Sequence, residues 1–476
     1  MSETEARFAV LRQSADAGAV AAIERLIRDA PDSALSRINV LDFAQANQLD
    51  EERTIAAFLH AARLGLFELS WNVLCPGCGG VLDSNATLKT LHQDAYSCAL
   101  CAAGYEPTLD EMVEVAFTVS PRVRRIAAHD PETLSIWQYM RQMFWSSGLE
   151  LPDGDAFDDL LQEIVIESLE LPPGEKAHFS LQLPAQFIIV FDPVTHSAHF
   201  LDVKGEPTRE RQSLSVVFNN VRAPTGTVEM RPGPLRLTLE NHTDLRVLPA
   251  LYIAGDALHH MLGKRKRFLT AKRLLTNQTF RDIYRADALD INQRLKITSL
   301  TFMFTDLKGS TELYERVGDL VAYDMVKAHF RLLNEIVAAE AGAVVKTIGD
   351  AVMATFPTPD RALAAALRIR EAMHTLNAGN QREDLLLKIG LHEGPCLAVT
   401  LNDRLDYFGQ SVNIAARVQG LSVSSSIFAS AAVVEHGGAA QLLDTAGIKA
   451  VAQRHRLRGI AHEVTVYEIP ENRAEH

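Results

Sequence analysis

The sequence has little cysteine, few aromatic residues and no long apolar run. Of its 476 residues, five are cysteines and 7% are aromatic. So little cysteine excludes a disulfide-rich secreted scaffold. No apolar run reaches the ~18 residues that a membrane helix needs, and no apolar segment follows a basic start. These absences predict a cytoplasmic chain without a transmembrane segment.

Positive charge is also in deficit. Lys and Arg number 47 against 60 Asp and Glu, which gives a formal net charge of −13. An acidic chain is a poor non-specific ligand for nucleic acid, so no nucleic-acid partner is expected. A polyanionic substrate would have to be held by local cations or metal ions. The length predicts about three domains.

Four of the five cysteines form two CxxC pairs, Cys75 with Cys78 and Cys98 with Cys101. Each CxxC turn can present two thiolates to one tetrahedral ion, and this spacing is typical of a zinc ribbon. The sequence therefore predicts a structural Zn²⁺ held by these four residues. Two disulfides or a redox pair are the alternatives. Cys396 lies in an apolar run and is interpreted as a small core residue.

Three segments precede the C-terminal domain. Residues 1–120 predict a small helical, winged-helix-like module with the zinc ribbon. The second helix of this module begins with acidic residues at 50–52, which favours a role in packing over sequence-specific DNA binding. Residues 121–255 alternate between apolar runs and turn signals, which predicts an antiparallel β-sandwich with a regulatory role. Residues 256–296 predict a basic helical linker.

The linker concentrates six cations within residues 264–273, namely Lys264, Arg265, Lys266, Arg267, Lys272 and Arg273. The favoured interpretation is a solvated face that pairs with acidic neighbours. Contact with an anionic membrane surface or nucleic acid is the alternative. Its position between the N-terminal region and the C-terminal domain suggests a third role, in which it passes a conformational bias along the chain.

Two aspartates stand out in the C-terminal segment. Asp306 follows an apolar run that reads as a strand over 298–305, and Asp350 follows Gly349 at the tip of a predicted hairpin, 343–356. Two carboxylates at strand ends suit hard divalent cations that also bind substrate phosphates. The pattern predicts a metal-assisted reaction on a nucleoside triphosphate.

The rest of this segment predicts a ferredoxin-like β-α-β-β-α-β domain over 297–476. Helices are expected at 311–341 and 359–377, with strands at 385–392 and 395–401. The whole chain is thus predicted to be an α+β multidomain protein.

Three motifs in order, FTDLKGST, VVKTIGDAVMATF and LDYFGQSVNIAAR, resemble class III nucleotidyl cyclases from about Thr298 to Pro470. The four-cysteine and β-rich segments resemble, more weakly, the regions ahead of some bacterial cyclases. The likeness implies an adenylate or guanylate cyclase that releases pyrophosphate and closes a 3′,5′-cyclic nucleotide, with two Mg²⁺ or Mn²⁺ ions. The implied metal ligands are Asp306, Asp350 and the Leu307 carbonyl.

Other roles are carried over from the same resemblance. Gly309, Ser310 and Thr311 are expected to wrap the β and γ phosphates. Asn413 and Arg417, four residues apart on a helix, are expected to orient the ribose and neutralise charge on the α-phosphate. The family often has a lysine that touches the terminal phosphates, and Arg458 stands at the matching position.

The base-reading positions correspond to Lys346 and Asp406. N1 of adenine needs a donor and its amino group needs an acceptor, so this pair predicts ATP as substrate. The resemblance also implies a homodimer whose two active sites each use residues from both chains. The alternatives are a guanylate cyclase of the same class and a non-enzymatic nucleotide-binding or DNA-associated regulator.

Overall fold

The computed structural model describes residues 3–91, 95–219, 226–284, 289, 294–308, 310–379, 386–401, 404–422 and 426–471. The chain forms two compact units. The N-terminal unit comprises Met1–Ala86, Asp94–Pro107 and Glu111–Leu269. The C-terminal unit comprises Thr87–Gln93, Thr108–Asp110 and Thr270–His476. Among the described residues, no helix is both long and apolar enough to cross a membrane.

The N-terminal unit begins with four helices. Side-chain oxygens of Asp16, Asn39 and Asp50 accept backbone N–H bonds at the starts of the second, third and fourth helices, which is why these helices begin where they do. In the fourth, the predicted apolar stripe that contains Phe58 is buried. The helices are α1 (Glu3–Ser14), α2 (Ala17–Asp29), α3 (Val40–Ala46) and α4 (Glu51–Arg63).

A small sheet and a short hairpin follow these helices. The sheet has the order β2-β1-β5 and is antiparallel, and β3 pairs with β4. The strands are β1 (Phe67–Leu74), β2 (Val81–Asn85), β3 (Tyr96–Cys98), β4 (Ala103–Tyr105) and β5 (Val113–Val119). Two of the four clustered cysteines lie between β1 and β2, and the other two lie at the β3-β4 hairpin.

The rest of the N-terminal unit consists of two sheets and short helices. The sheets have the orders β10-β12-β7 and β11-β9-β8-β13-β6, and apolar residues from both form one core. The elements are α5 (Ile136–Tyr139), α6 (Asp155–Ile164), β6 (Val165–Ser168), β7 (Lys176–Leu183), β8 (Phe187–Asp192), β9 (Ser197–Val203), β10 (Gln212–Phe218), β11 (Thr227–Met230), β12 (Gly233–Asn241), β13 (Ala250–Ile253) and α7 (Asp256–Gly263).

The prediction that these strands are all antiparallel is wrong for two pairs. β10 is parallel to β12, and β11 is parallel to β9. Between β10 and β12 the chain runs through β11, which belongs to the other sheet. The chain therefore re-enters the first sheet in its original direction. Alternating apolar residues reveal a half-buried strand but not which sheet it joins.

The segment predicted as a basic helical linker is helical only in part. Residues 264–270 are not helical and lie between α7 and α8 (Ala271–Leu275), which is followed by α9 (Gln278–Ile283). Within the N-terminal unit, Lys266 pairs with Asp42, and Arg267 lies 2.9 Å from Glu51. These acidic partners already neutralise two cations of the stretch, as the favoured interpretation expected.

The C-terminal unit contains an eight-stranded sheet. Its order is β15-β16-β14-β17-β19-β21-β20, and β18 pairs with β17 outside this path. The elements are β14 (Leu295–Lys308), α10 (Ser310–Val317), α11 (Asp319–Ala339), β15 (Ala343–Ile348), β16 (Ala351–Phe356), α12 (Pro359–Gly379), β17 (Leu386–Leu401), β18 (Arg404–Phe408), α13 (Gln410–Gln419), β19 (Ile427–Ser430), α14 (Ala431–Val434), α15 (Gly437–Thr445), β20 (Val451–His455) and β21 (Val464–Ile469).

The predicted order of strands and helices is present, with three changes in bounds. β14 continues past 305 to Lys308, because its pairing with β17 extends to Leu386. One long strand, β17, replaces the two predicted between 385 and 401. The helices predicted over 311–341 are α10 and α11, which end at Ala339 and are separated at Gly318, whose φ of 78° is incompatible with a continuous helix. Buried faces of α11 and α12 cover the sheet with a shared apolar core.

Candidate active site

The structure brings Asp306 and Asp350 to neighbouring strand positions. Asp306 lies on β14, and Asp350 lies in the β15-β16 turn after Gly349, whose φ of 65° suits a residue without Cβ. β14 pairs with β16 up to Thr305 and Val352, so the two aspartates flank the last pair of this ladder. This places two carboxylates at one end of the sheet.

The electrostatics of this pair favour a bound cation. Burial and the negative charge of Asp350 raise the pKa of Asp306 above its ordinary value. Oδ2 of Asp350 is buried and accepts no hydrogen bond from any described residue. An unpaired buried carboxylate oxygen beside a second carboxylate is unfavourable unless a cation offsets it. The donor set therefore fits a hard divalent ion.

Lys388 and His329 also belong to this region, and the sequence reasoning missed both. Lys388 is directly opposite Asp306 in the β14-β17 ladder, and its Nζ lies 3.8 Å from Oδ2 of Asp306. Only the strand register could have revealed it. His329 on α11 is fully buried, and neither ring nitrogen has a partner among the described residues. Burial lowers its pKa to about 4, although the charge of Asp350 acts in the opposite direction.

The predicted phosphate-binding segment is only partly described. Gly309 and the side chains of Ser310 and Thr311 lie outside the described residues. α10 begins at Ser310, directly after β14 ends at Lys308. Leu307 is in register with Leu387, and its side chain is buried.

The two predicted base-reading residues contact each other. Nζ of Lys346 on β15 lies 2.5 Å from Oδ2 of Asp406 on β18. Asp406 is buried, and its Oδ1 accepts a hydrogen bond from the Tyr407 N–H at 2.8 Å. The Lys346 side chain is 40% exposed, so its ammonium remains accessible to a ligand.

Asn413 and Arg417 lie on one exposed side of α13, and Ala415 and Val418 are buried on the other side. The helix packs closely on β17, since a Cβ at Gly390 would lie 2.2 Å from the Gln419 backbone nitrogen. This close approach requires glycine at position 390 and fixes the height of α13 above the sheet.

Arg458 lies in the loop between β20 and β21 and is exposed. Among the described residues, no hydrogen bond or ion pair connects the Asp306 and Asp350 pair with the base-reading pair or with Asn413 and Arg417. The structure thus presents two separate groups of predicted site residues.

The four clustered cysteines are brought together in the N-terminal unit. Their sulfurs lie within 4.8 Å of one another, and both Cys75–Cys101 and Cys78–Cys98 are 3.6 Å apart. Tetrahedral zinc with bonds of about 2.3 Å places neighbouring sulfurs about 3.8 Å apart. All four are free thiols, which argues against the disulfide alternative. The site fits a tetrahedral metal ion.

The residue after each CxxC pair supports this geometry. Gly79 has a φ of 70° and Ala102 a φ of 50°, so both turns pass through the left-handed region. The Gly80 N–H donates to the Cys78 sulfur at 3.4 Å. Glycine at position 79 was visible in the sequence, whereas nothing in the sequence marked Ala102.

Comparison with known families places both parts of the chain. Residues 293–467 match the family described as the adenylate and guanylate cyclase catalytic domain, and this part of the chain is a class III cyclase catalytic domain. Residues 1–282 match a family of unknown function, DUF5939. This match covers more than half of the chain, and the protein belongs to that family, with the four-cysteine cluster inside the matched region.

Similar curated proteins include two from Rhizobium meliloti. Adenylate cyclase 1 is 30% identical over 151 residues, which are 28% of this chain and 23% of that protein. Adenylate cyclase 2 is 34% identical over 132 residues, 25% of this chain and 36% of that protein. An adenylate cyclase of Anabaena cylindrica is 23% identical over 185 residues, 36% of each protein. The chain thus spans little more than a third of each relative at most.

Two solved structures also align with the chain. The adenylyl cyclase CyaB from P. aeruginosa is 22% identical, with a TM-score of 0.33 and coverage of 39% of this chain and 99% of that one. The guanylyl cyclase Cya2 is 19% identical, with a TM-score of 0.33 and coverage of 37% of this chain and 92% of that one.

Proposed function

We propose that this protein is an adenylate cyclase, which converts ATP into 3′,5′-cyclic AMP and pyrophosphate. The proposal depends most on one observation, the contact between Lys346 and Asp406 at 2.5 Å. These two side chains offer a donor beside an acceptor, which complements N1 and the amino group of adenine. Guanine has a donor at N1 and a carbonyl acceptor at the neighbouring position, so it would face the wrong partner at both.

Asp306, Asp350 and the Leu307 carbonyl are the proposed ligands for two Mg²⁺ or Mn²⁺ ions. The orphaned Oδ2 of Asp350 and the raised pKa of Asp306 support this assignment. When bound, the ions supply Lewis-acid stabilisation of the triphosphate and activation of the ribose 3′-hydroxyl. Lys388 limits the excess negative charge on Asp306 until a cation binds.

The remaining residues act on the rest of the nucleotide. The backbone of Ser310 and Thr311, at the start of α10, binds the β and γ phosphates together with Gly309, and Arg458 is the cation nearest in role to the family's lysine. Asn413 orients the ribose so that its 3′-oxygen attacks the α-phosphorus in line with the departing pyrophosphate. Arg417 stabilises the charge that grows on the α-phosphate, a contact worth about 10²–10³ in rate.

The protein acts as a homodimer in this proposal. The two groups of site residues have no direct contact among the described residues, and Asn413 and Arg417 are exposed on α13. Ile348 lies two residues after Lys346, and Phe408 lies two residues after Asp406. Their side chains are 53% and 65% exposed, which is unusual for large apolar residues and typical of an interface. One chain would supply the aspartates, and its partner the base-reading and α13 residues.

The N-terminal region is proposed to be regulatory. Its winged-helix-like helices, ribbon and sandwich-like sheets supply no residue of the proposed active site, and its four thiols are assigned to a structural Zn²⁺. The non-enzymatic alternative predicts that Asp306→Asn leaves the biological output intact, whereas a cyclase loses it.

The experiment is to incubate the full-length protein with ATP or GTP, with magnesium or manganese, and to quantify cyclic nucleotides by chromatography. Formation of cyclic AMP well above cyclic GMP supports the proposal. Preference for GTP would assign the guanylate alternative, and failure to form either product under all four conditions would contradict enzymatic function.

A further inference from the structure

The short helix α9 is bonded to the two strands that carry the base-reading pair. Oε1 of Gln278, its first residue, accepts a hydrogen bond from the Val344 N–H on β15 at 2.8 Å. Nη2 of Arg281, one turn later, donates to the Leu405 carbonyl on β18 at 2.7 Å. Val344 lies two residues before Lys346 and Leu405 directly precedes Asp406.

The sheet connects these two strands only indirectly, through β16, β14 and β17. β15 pairs with β16, and β18 pairs with β17, so β15 and β18 share no ladder in the described part of the sheet. The β15-β16 register also shifts between Val344 and Lys346, and such a bulge frees backbone groups from the ladder. The side chain of Gln278 satisfies one of them. Helix α9 is therefore a direct connection between the backbones on either side of the pair.

A second set of contacts strengthens the hold on β18. The Tyr407 hydroxyl, on the residue after Asp406, donates to the Leu275 carbonyl of α8 at 3.3 Å. The Arg281 guanidinium lies 5.9 Å from the centre of the buried Tyr407 ring. Both β18 neighbours of Asp406 are thus bound to the α8-α9 segment.

The α8-α9 segment lies where the N-terminal family match and the C-terminal compact unit overlap. The match to DUF5939 extends to residue 282, whereas the chain from Thr270 onward belongs to the C-terminal compact unit. Residues 270–282 therefore belong to the N-terminal family by sequence and to the unit with the cyclase domain by packing. Gln278 and Arg281 are both in this overlap.

We propose that Gln278 and Arg281 are positioning residues, which hold Lys346 and Asp406 at the separation needed to bind a purine. The last segment of the DUF5939 region then sets the nucleotide affinity of the cyclase. This inference rests on the proposed function of the Lys346 and Asp406 pair. Neither residue needs to touch the nucleotide, so the effect appears in binding more than in turnover.

The test compares isosteric and conservative variants of the full-length protein. Arg281→Met removes the bond to Leu405, and Gln278→Met removes the bond from Val344 together with an exposed bond to Asp282 at 3.1 Å. We expect KM for ATP to rise about fivefold to tenfold in both, with kcat within about twofold. Gln278→Glu also loses the donor to Asp282 but keeps the acceptor for the Val344 N–H, and Arg281→Lys keeps a donor, so both should stay within about twofold of the parent in KM. Thr279→Ala, on the same helix between them, is the matched control.

A binding measurement separates positioning from turnover. Calorimetric titration with the α,β-methylene analogue of ATP, whose α,β-bridge does not cleave, should give a Kd raised by the same factor in the two methionine variants. Unchanged KM and Kd in methionine variants that melt at the parental temperature would overturn the proposal. Equal losses in Gln278→Glu, Arg281→Lys or Thr279→Ala would also overturn it, since they would indicate a general folding effect.

Two further outcomes keep the test decisive. If a methionine variant melts early, Gln278→Ala and Arg281→Ala replace it under the same criteria, because alanine also lacks a side-chain hydrogen-bonding group. If the parent binds the analogue but forms no cyclic nucleotide, the proposed function fails, while the analogue affinities still decide whether Gln278 and Arg281 position the pair.

Discussion

Nζ of Lys346 lies 2.5 Å from Oδ2 of Asp406, although the two residues are 60 positions apart in the chain. The contact joins β15 to β18, two strands that do not pair with each other within the described sheet. Because the carboxylate is buried and the lysine is partly exposed, the pair presents a fixed donor and acceptor edge. Substrate choice is expected to depend on this edge.

Replacing Lys346 and Asp406 together should shift the substrate preference from ATP towards GTP. In Lys346→Glu with Asp406→Cys, position 346 becomes an acceptor and position 406 loses its charge, so the pattern suits guanine. We expect the ratio of kcat/KM for ATP to that for GTP to fall by at least about 100-fold, which corresponds to two hydrogen bonds changed from matched to mismatched. The measurement is kinetics with both nucleotides. An unchanged ratio in a folded, active double variant would show that other residues choose the base.

If each active site uses residues from both chains, two inactive variants should regain a defined fraction of activity when they form mixed dimers. Asp306→Asn disables the metal half of a site and Arg417→Ala disables the other half, so each variant alone should be inactive. In a co-expressed random mixture, half of the dimers are mixed and each has one intact site of two. Restored activity should then reach about a quarter of the parental value per mass of protein.

The control for this experiment co-expresses Asp306→Asn with Asp350→Asn. Both changes affect the same half, so no mixed dimer regains an intact site and activity should stay at background. Recovery in this control, or none in the first mixture despite demonstrated mixed dimers, would be inconsistent with shared sites.

Sequence reasoning located the chemistry better than the architecture around it. Motif spacing predicted that Asp306 and Asp350 belong to strand ends, and the structure places them at the end of one ladder, although β14 continues two residues past Asp306. Lys388 could not be found, because only the β14-β17 register places it opposite Asp306. His329 occupies a position in the apolar stripe of α11, where periodicity predicts packing rather than a polar group.

The fold of the N-terminal region was harder to predict from the sequence, and the reason is physical. Four cysteines carry a spacing signal tied to tetrahedral geometry, and the structure gathers their sulfurs. Strand pairing carries no comparable local signal, so the parallel pairs β10-β12 and β9-β11 were missed. The basic stretch 264–270 was expected to be helical, but it is not helical, and two of its cations pair with Asp42 and Glu51, which are distant in sequence.

We expect the ionised Asp306 carboxylate to lower the stability of the metal-free protein. Burial and Asp350 raise its pKa in the folded protein, so the protonated form is the stabilising one and its contribution is lost as pH rises through that raised pKa. At pH 7.5 without divalent ions, Asp306→Asn should therefore melt at a higher temperature than the parent. The difference should shrink as pH falls towards the ordinary pKa of aspartate. Calorimetry in chelator across this pH range is the measurement.

Added divalent cations should reverse the order of the two melting temperatures, so that the parent melts above Asp306→Asn. Mn²⁺ should raise the melting temperature of the parent, because a ligand of the folded state stabilises it, and should have little effect on Asp306→Asn. Asp319→Asn, at the start of α11, is a matched surface control that should respond to Mn²⁺ as the parent does. A parent that is more stable than Asp306→Asn in chelator would contradict the electrostatic account.

The four-cysteine cluster should contain one zinc ion per chain. Cys98→Ser removes one of four ligands, and elemental analysis should show zinc falling from about one per chain to well below half. The melting temperature of the N-terminal transition should fall with it, and Cys396→Ser, which alters a buried thiol in the C-terminal unit, should retain full zinc. Parental zinc content in Cys98→Ser would remove this assignment.

The most direct test of the account replaces both metal-binding carboxylates at once. Full-length protein carrying Asp306→Asn and Asp350→Asn is compared with the parent for cyclic AMP formation from ATP with Mn²⁺, at equal concentration and with folding checked by circular dichroism. The account predicts a loss of at least about 1,000-fold, because ligand removal disables both roles of the ions. A folded double variant that forms cyclic AMP at the parental rate would contradict the central claim.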